Sequence, residues 1–136
     1  MTQEKKEIIC NFVKESIKNK QFNDELVFSL PIKTIERVQR ALHFDISQYI
    51  LVISSHSVRH IQKGHSSEVK LICELLELIQ QFYEVKKSIT KDYKTGKTLV
   101  SLEFYNKLDN KILKTVKLKI YKSKRLELKT LFFTER

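Results

Sequence analysis

The 136-residue chain contains few of the residues that interrupt or cross-link a fold. Two glycines, one proline and no tryptophan leave little room for long flexible linkers. The two cysteines, Cys10 and Cys73, each lie in an apolar helical stretch. Cysteines in such stretches are most often small core residues, and two of them do not make a metal framework.

The chain also lacks the segments that direct a protein to a membrane. No apolar run approaches the length of a membrane span, and no basic–apolar–small signal segment opens the sequence. A content of 41% hydrophobic and 31% charged residues is typical of a soluble globular protein. These features predict a cytoplasmic protein, or one delivered to a cytoplasm, that has no cofactor, no metal and no membrane partner.

The surplus of positive charge is confined to one part of the chain. Residues 86–136 carry 15 Lys and Arg against 5 Asp and Glu, whereas residues 1–85 carry 11 of each sign. The formal net charge of +10 therefore lies on a segment whose pattern predicts β-strands. Such a sheet is suited to a polyanion, because each Lys or Arg that meets a phosphate releases a counterion. The alternative is that lysines keep an exposed sheet soluble and block edge pairing.

The spacing of apolar residues predicts four helices and then several strands. The helices are expected over 3–19, 34–42 with Thr34 as the cap, 56–63 between a Ser54 or Ser55 cap and Gly64, and from 66 or 67 to about 82. Short apolar runs predict strands over 27–30 and 49–54. From residue 84 the period changes to two, with turns at 94–97, 108–110 and 122–125.

Helices first and an antiparallel meander last predict an α+β fold, with N-terminal helices followed by a four-stranded antiparallel β-meander sheet. In that sheet Lys117 and Lys119 project opposite to Val116 and Leu118. One face is therefore expected to pack on the helices, and the other to be solvated and mostly cationic.

The segment 54–65 holds three of the four histidines. On a helix His56 and His60 share one face at i,i+4, with Lys63 next to His60. Gly64 is expected to end the helix, so that His65 folds back over its C-terminus. Exposed polar residues on a short helix would explain the pattern. A metal pair formed by His56 and His60 is a second interpretation, but no third ligand lies nearby in the sequence.

A third interpretation is cleavage of RNA without a metal. That reaction needs a base for the 2′-hydroxyl proton, an acid for the leaving 5′-oxygen, and cations for the charge that builds on phosphorus. Two histidines, with Arg59, Lys63 and a basic sheet, have the chemistry for each of these roles.

Two stretches of the sequence resemble a known nuclease group. Residues 51–65 resemble the strand followed by an H-I-x-K-x-H segment in phage-type nucleases of the Barnase–EndoU–colicin–RelE-like group, predicted ribonucleases of phage and mobile elements. Residues 125–132 resemble the last strand of that group, which tends to carry Ser or Thr. The resemblance implies a nuclease core over 45–136 and leaves 1–44 as an N-terminal helical segment, within one compact domain.

Carried over by position, the resemblance implies specific site residues. His60 and His65 match the two histidines, and Thr130 matches the terminal-strand hydroxyl that would bind the scissile phosphate. Lys119 and Lys122 are candidates for the cation of the sheet. Together with Arg59 and Lys63, these lysines would bind the RNA substrate.

The sequence therefore predicts a metal-independent endoribonuclease of phage or toxin type that acts by 2′-hydroxyl transesterification. Such an enzyme is expected to have an acidic inhibitor or immunity protein as a partner. A non-catalytic nucleic-acid-binding module with the same basic face is the alternative from another class. An accessory protein that merely assembles with a partner is a third possibility.

Overall fold

The protein is described by a computed structural model over residues 3–64, 66–107 and 112–135. Its elements follow in chain order: α1 (Gln3–Lys18), β1 (Glu25–Ser29), α2 (Ile32–Leu42), β2 (Ile50–Ser54), α3 (Ser55–Gly64), a 3₁₀ helix (Ser66–Glu74), α4 (Leu75–Leu78), β3 (Glu84–Lys91), β4 (Thr98–Lys107), β5 (Ile112–Tyr121) and β6 (Arg125–Glu135). Within these described residues, no helix is long and apolar enough to cross a bilayer.

The strands form one six-stranded mixed sheet in the order β1-β2-β6-β5-β4-β3. Neighbouring strands are antiparallel except β2 and β6, which run parallel. The predicted four-stranded antiparallel meander after N-terminal helices is therefore wrong. Leu51, Val52 and Ile53 are all fully buried, and a strand buried on both faces is typical of the interior of a sheet. β2 accordingly lies between β1 and β6 and joins the early part of the chain to the meander.

The helices pack on one face of the sheet around a single hydrophobic core. Ile9 and Phe12 of α1, Val38 of α2 and Ile61 of α3 belong to the same cluster as Phe104 of β4. The predicted segments 1–44 and 45–136 thus contribute side chains to one core and strands to one sheet.

The opposite face of the sheet, called here the polar face, carries Glu103, Lys117, Lys119, Glu127 and Lys129. Register places Lys117 beside Glu103, and Lys119 beside Glu127. Val116 and Leu118, which alternate with these lysines along β5, are fully buried on the helix side. This is the arrangement that the alternation predicts.

A β-bulge interrupts the alternation of β6. Lys117 pairs with Thr130 and Leu118 with Leu128, so Lys129 is the extra residue. The inward series Leu126 and Leu128 therefore resumes at Leu131 rather than at residue 130. Bulges of this kind re-aim side chains and are frequent beside functional sites.

The predicted long helix after Gly64 is replaced by the nine-residue 3₁₀ helix and the four-residue α4. Thr34 is not a cap: α2 begins after Pro31, and the Thr34 hydroxyl donates a buried 2.7 Å hydrogen bond to the Ile79 carbonyl oxygen. The prediction for α3 is confirmed, since the Ser54 hydroxyl accepts the Ser57 N–H at 3.1 Å and the helix ends at Gly64.

Cys10 and Cys73 form a disulfide that links α1 to the 3₁₀ helix, with their Cα atoms 5.0 Å apart. The expectation of two small core cysteines is therefore wrong, and both residues are only partly buried. Disulfides persist mainly in oxidising compartments. The cytoplasmic location stays a prediction.

Candidate functional site

The first turn of α3 is fixed by Asp24, the residue that precedes β1, as well as by β2. The side chain of Ser55 is fully buried. Its hydroxyl accepts the Asp24 N–H at 3.0 Å and donates to the Asp24 carbonyl oxygen at 3.2 Å. The Ser55 N–H donates to the same oxygen at 3.0 Å. These contacts fix the position of the helix that carries His56 and His60.

Both histidines line an open pocket of about 230 Å³, called here the histidine pocket. Its wall is shared by the start of α3 and by residues of β4, β5 and β6, most of them on the polar face. The lining residues are His56, Ser57, His60, Leu99, Lys119, Tyr121, Glu127, Leu128 and Lys129.

Positive charge is concentrated on the sheet side of the histidine pocket. Burial, followed by the positive charges of Lys117 and Lys119, lowers the pKa of Lys129, against weaker opposing effects of Asp92 and Glu103. The Lys119 ammonium lies 4.6 Å from the centroid of the Tyr121 ring, a cation–π distance. The site thus combines amines that can meet a phosphate with an aromatic ring.

An ion-pair chain fixes the acidic member of the pocket. The Arg125 guanidinium lies 3.3 Å from the Glu127 carboxylate and 2.8 Å from that of Glu25. Because β2 lies between β1 and β6, the Arg125–Glu25 pair must cross β2. Val52 of β2 pairs with Glu127 and is fully buried, which is expected where a guanidinium crosses a strand. The carboxylate of Glu127 is therefore held beside the histidines.

The predicted site residues divide between the histidine pocket and other places. His60 and Lys119 line the pocket, whereas His65 lies outside the described residues. Thr130 is partly buried next to the pocket residue Lys129, but it does not line the pocket. Lys122 is exposed and lines a second pocket at the end of β5.

The two cations predicted on α3 do not line the histidine pocket. The Arg59 guanidinium donates to the carbonyl oxygens of Ser16, at 3.1 Å, and Phe22, at 2.8 Å. Lys63 is exposed in the last turn of α3.

Four pocket residues with polar or aromatic chemistry were not among the predicted site residues: His56, Tyr121, Glu127 and Lys129. The i,i+4 spacing of His56 and His60 indicates a shared face, and it would have selected His56. Lys129 and Tyr121 were detectable only as polar-face positions of alternating strands. Alternation with Leu126 and Leu128 places Lys129 on the polar face, but no pattern in the sequence distinguishes it from the other lysines there.

The chemistry of the histidine pocket is that of proton transfer beside an anion. Histidine readily gives and takes a proton at neutral pH, and ammonium groups stabilise a phosphate. Among residues 3–64, 66–107 and 112–135, no three His, Cys, Asp or Glu side chains are grouped to hold a metal ion. Comparison of the chain with protein-family models, curated proteins and solved structures finds no match.

Proposed function

We propose that the histidine pocket binds an RNA phosphate and cleaves the RNA by attack of the adjacent 2′-hydroxyl. The observation that carries this proposal is the presence of two imidazoles and two ammonium groups, His56, His60, Lys119 and Lys129, around one open pocket. An acid, a base and cations are the groups that this reaction needs.

The histidines divide the two proton transfers between them. One neutral imidazole takes the proton of the 2′-hydroxyl as the 2′-oxygen forms a bond to phosphorus. The bond from phosphorus to the 5′-oxygen breaks, and the other histidine, as imidazolium, donates a proton to that oxygen. The products are a 2′,3′-cyclic phosphate and a 5′-hydroxyl. Lys119 and Lys129 stabilise the negative charge of the phosphorane.

The resemblance to the Barnase–EndoU–colicin–RelE-like group supports the same proposal. Both stretches that carry the resemblance, 51–65 and 125–132, contribute residues to the histidine pocket. The group implies a phage or toxin ribonuclease, for which an acidic protein that covers the lysines would be a suitable inhibitor.

A second candidate function is nucleic-acid binding without cleavage. The contact between Lys119 and Tyr121 favours it, because an ammonium beside an aromatic ring suits a phosphate and a base without any proton transfer. In this case the histidines would add only polar contacts.

Cleavage of a mixed-sequence single-stranded RNA in excess EDTA distinguishes the two functions. His56→Ala and His60→Ala are each expected to lower the cleavage rate about 100-fold or more. His43→Asn is the matched control, since His43 is an exposed histidine that does not line the pocket. Asparagine also tolerates the left-handed backbone of this residue, whose φ is 53°.

The same RNA with 2′-O-methyl groups must remain uncut. Loss of cutting on addition of EDTA would contradict a metal-independent reaction. If none of the proteins cuts the RNA but they bind it in a salt-dependent way, the protein binds nucleic acid without cleaving it.

A further inference from the structure

We propose that the RNA strand passes from the histidine pocket round the end of β5 into a second pocket, which binds nucleobases and makes the site selective for single strands. This inference rests on the proposed function and specifies its substrate. The second pocket, called here the aromatic pocket, has a volume of about 250 Å³. Its lining residues are Phe44, Tyr49, Lys87, Val100, Ile120, Tyr121 and Lys122.

The two pockets meet at Tyr121, which lines both of them. Alternation along β5 puts Lys119 on the polar face and Ile120 on the opposite face. The aromatic pocket therefore lies on the helix side of the sheet, just round the end of the strand. The pockets share Tyr121, and consecutive Cα atoms such as those of Tyr121 and Lys122 lie about 3.8 Å apart. The path between the pockets is therefore short, on the order of one or two nucleotides.

The loop after α2 fixes two rings in the aromatic pocket. His43 ends α2 in the left-handed conformation and donates its N–H to the Gln39 carbonyl oxygen at 2.9 Å. Phe44 and Tyr49 then pack against the core, with ring centroids 5.8 Å apart and planes at 74°. Because the rings are already held, a base can stack on them with little loss of side-chain freedom.

Each aromatic ring of this path has an ammonium group above it. The distances from the nitrogen to the ring centroid are 4.8 Å for Lys87 on Phe44 and 5.1 Å for Lys124 on Tyr49. A nucleobase can take the place of the ammonium on the ring, and the flexible lysine can then meet the adjoining phosphate. Alternating rings and cations are the usual means of binding single-stranded nucleic acid.

Duplex RNA does not fit this path. Its bases are paired and stacked on one another, whereas an unpaired base is free to stack on an aromatic side chain. A duplex also cannot bend round the end of one β-strand within one or two nucleotides. The substrate expected from the geometry is therefore single-stranded RNA that extends at least two nucleotides beyond the scissile phosphate.

The test compares a dinucleotide, which occupies only the histidine pocket, with a ten-nucleotide RNA. Tyr49→Ala and Lys122→Ala are expected to lower kcat/KM on the longer RNA about fivefold or more, through KM, and to leave the dinucleotide unaffected. Lys122 is exposed, so its replacement does not disturb folding. The control is Tyr83→Ala, since Tyr83 has Lys107 4.9 Å above its ring and lies outside both pockets. Equal effects on both substrates, or no effect, would overturn the inference.

Affinity for a ten-nucleotide DNA, which lacks the 2′-hydroxyl and is not cut, is measured in parallel by fluorescence anisotropy. If the native protein cuts no RNA, the proposed cleavage fails, but a fivefold weaker binding of this DNA by Tyr49→Ala still supports the aromatic pocket. Unchanged binding by both variants would overturn it. Tighter binding of a blunt duplex than of the single strand would also overturn it.

Discussion

The guanidinium of Arg59 donates a hydrogen bond to the carbonyl oxygen of Phe22 at 2.8 Å. A second bond reaches Ser16 at the end of α1. Arg59 therefore joins the helix of the histidine pocket to α1 and to the loop that follows it. These hydrogen bonds stabilise the fold. The sequence instead suggests that Arg59, close to two histidines, binds a phosphate.

We expect Arg59→Met to lower the free energy of unfolding by about 1–3 kcal/mol, because two partly buried carbonyl oxygens lose a charged donor. Urea denaturation followed by circular dichroism measures the change. Lys63→Met, on the exposed side of the same helix, is the control and should alter stability by no more than about 0.5 kcal/mol. A fully stable Arg59→Met protein that no longer binds RNA would instead place the guanidinium at the substrate.

Lys117→Gln is expected to raise the pKa of Lys129. Burial lowers that pKa first, and the positive charges of Lys117 and Lys119 lower it further. Removal of one positive neighbour favours the protonated amine, so the pKa must rise. An NMR titration of the lysine Cε signals, assigned with Lys129→Gln, measures the shift. An unchanged or lower value would contradict the electrostatic coupling.

The lowered pKa of Lys129 also predicts that the free energy of unfolding depends on pH. The folded protein holds this proton less tightly than the unfolded chain does. The free energy of unfolding therefore rises as the pH increases through the folded pKa towards the ordinary value of 10.5. In Lys129→Gln this part of the alkaline rise should be absent from urea curves recorded between neutral pH and 10.5.

Reduction of the Cys10–Cys73 disulfide is expected to lower the free energy of unfolding by about 2–4 kcal/mol, because the bond closes a loop between residues 63 apart in the sequence. Urea curves with and without dithiothreitol measure the difference. The Cys10→Ser/Cys73→Ser protein should not respond to the reductant. Two alkylated thiols in protein never exposed to reductant, detected by mass spectrometry, would contradict the bond.

Local periodicity predicted much of what the structure contains. The stretch 3–19 contains α1, and the stretch 56–63 lies within α3. The inward positions Leu102 and Leu118 follow from strict alternation. These features depend on neighbours only a few residues apart, so a single sequence suffices to predict them.

Non-local features could not be read in the same way. The parallel pairing of β2 with β6 joins Ile50 to Arg125, and no period along the chain indicates such a contact. The bulge at Lys129 likewise depends on how β5 and β6 align. For this reason the meander was predicted without β1 and β2, and β6 was predicted without its bulge.

The parallel pairing of β2 with β6 also determines when the histidine pocket can exist. β2 and α3 are synthesised well before β6, yet the pocket needs Glu127 and Lys129 from β6 and Lys119 from its neighbour β5. Contacts between these elements cannot form before β6 has been synthesised. A nascent chain emerging from the ribosome thus has its histidines but not its lysines. If the proposed ribonuclease function holds, the order of translation itself leaves the site incomplete until β6 has been synthesised.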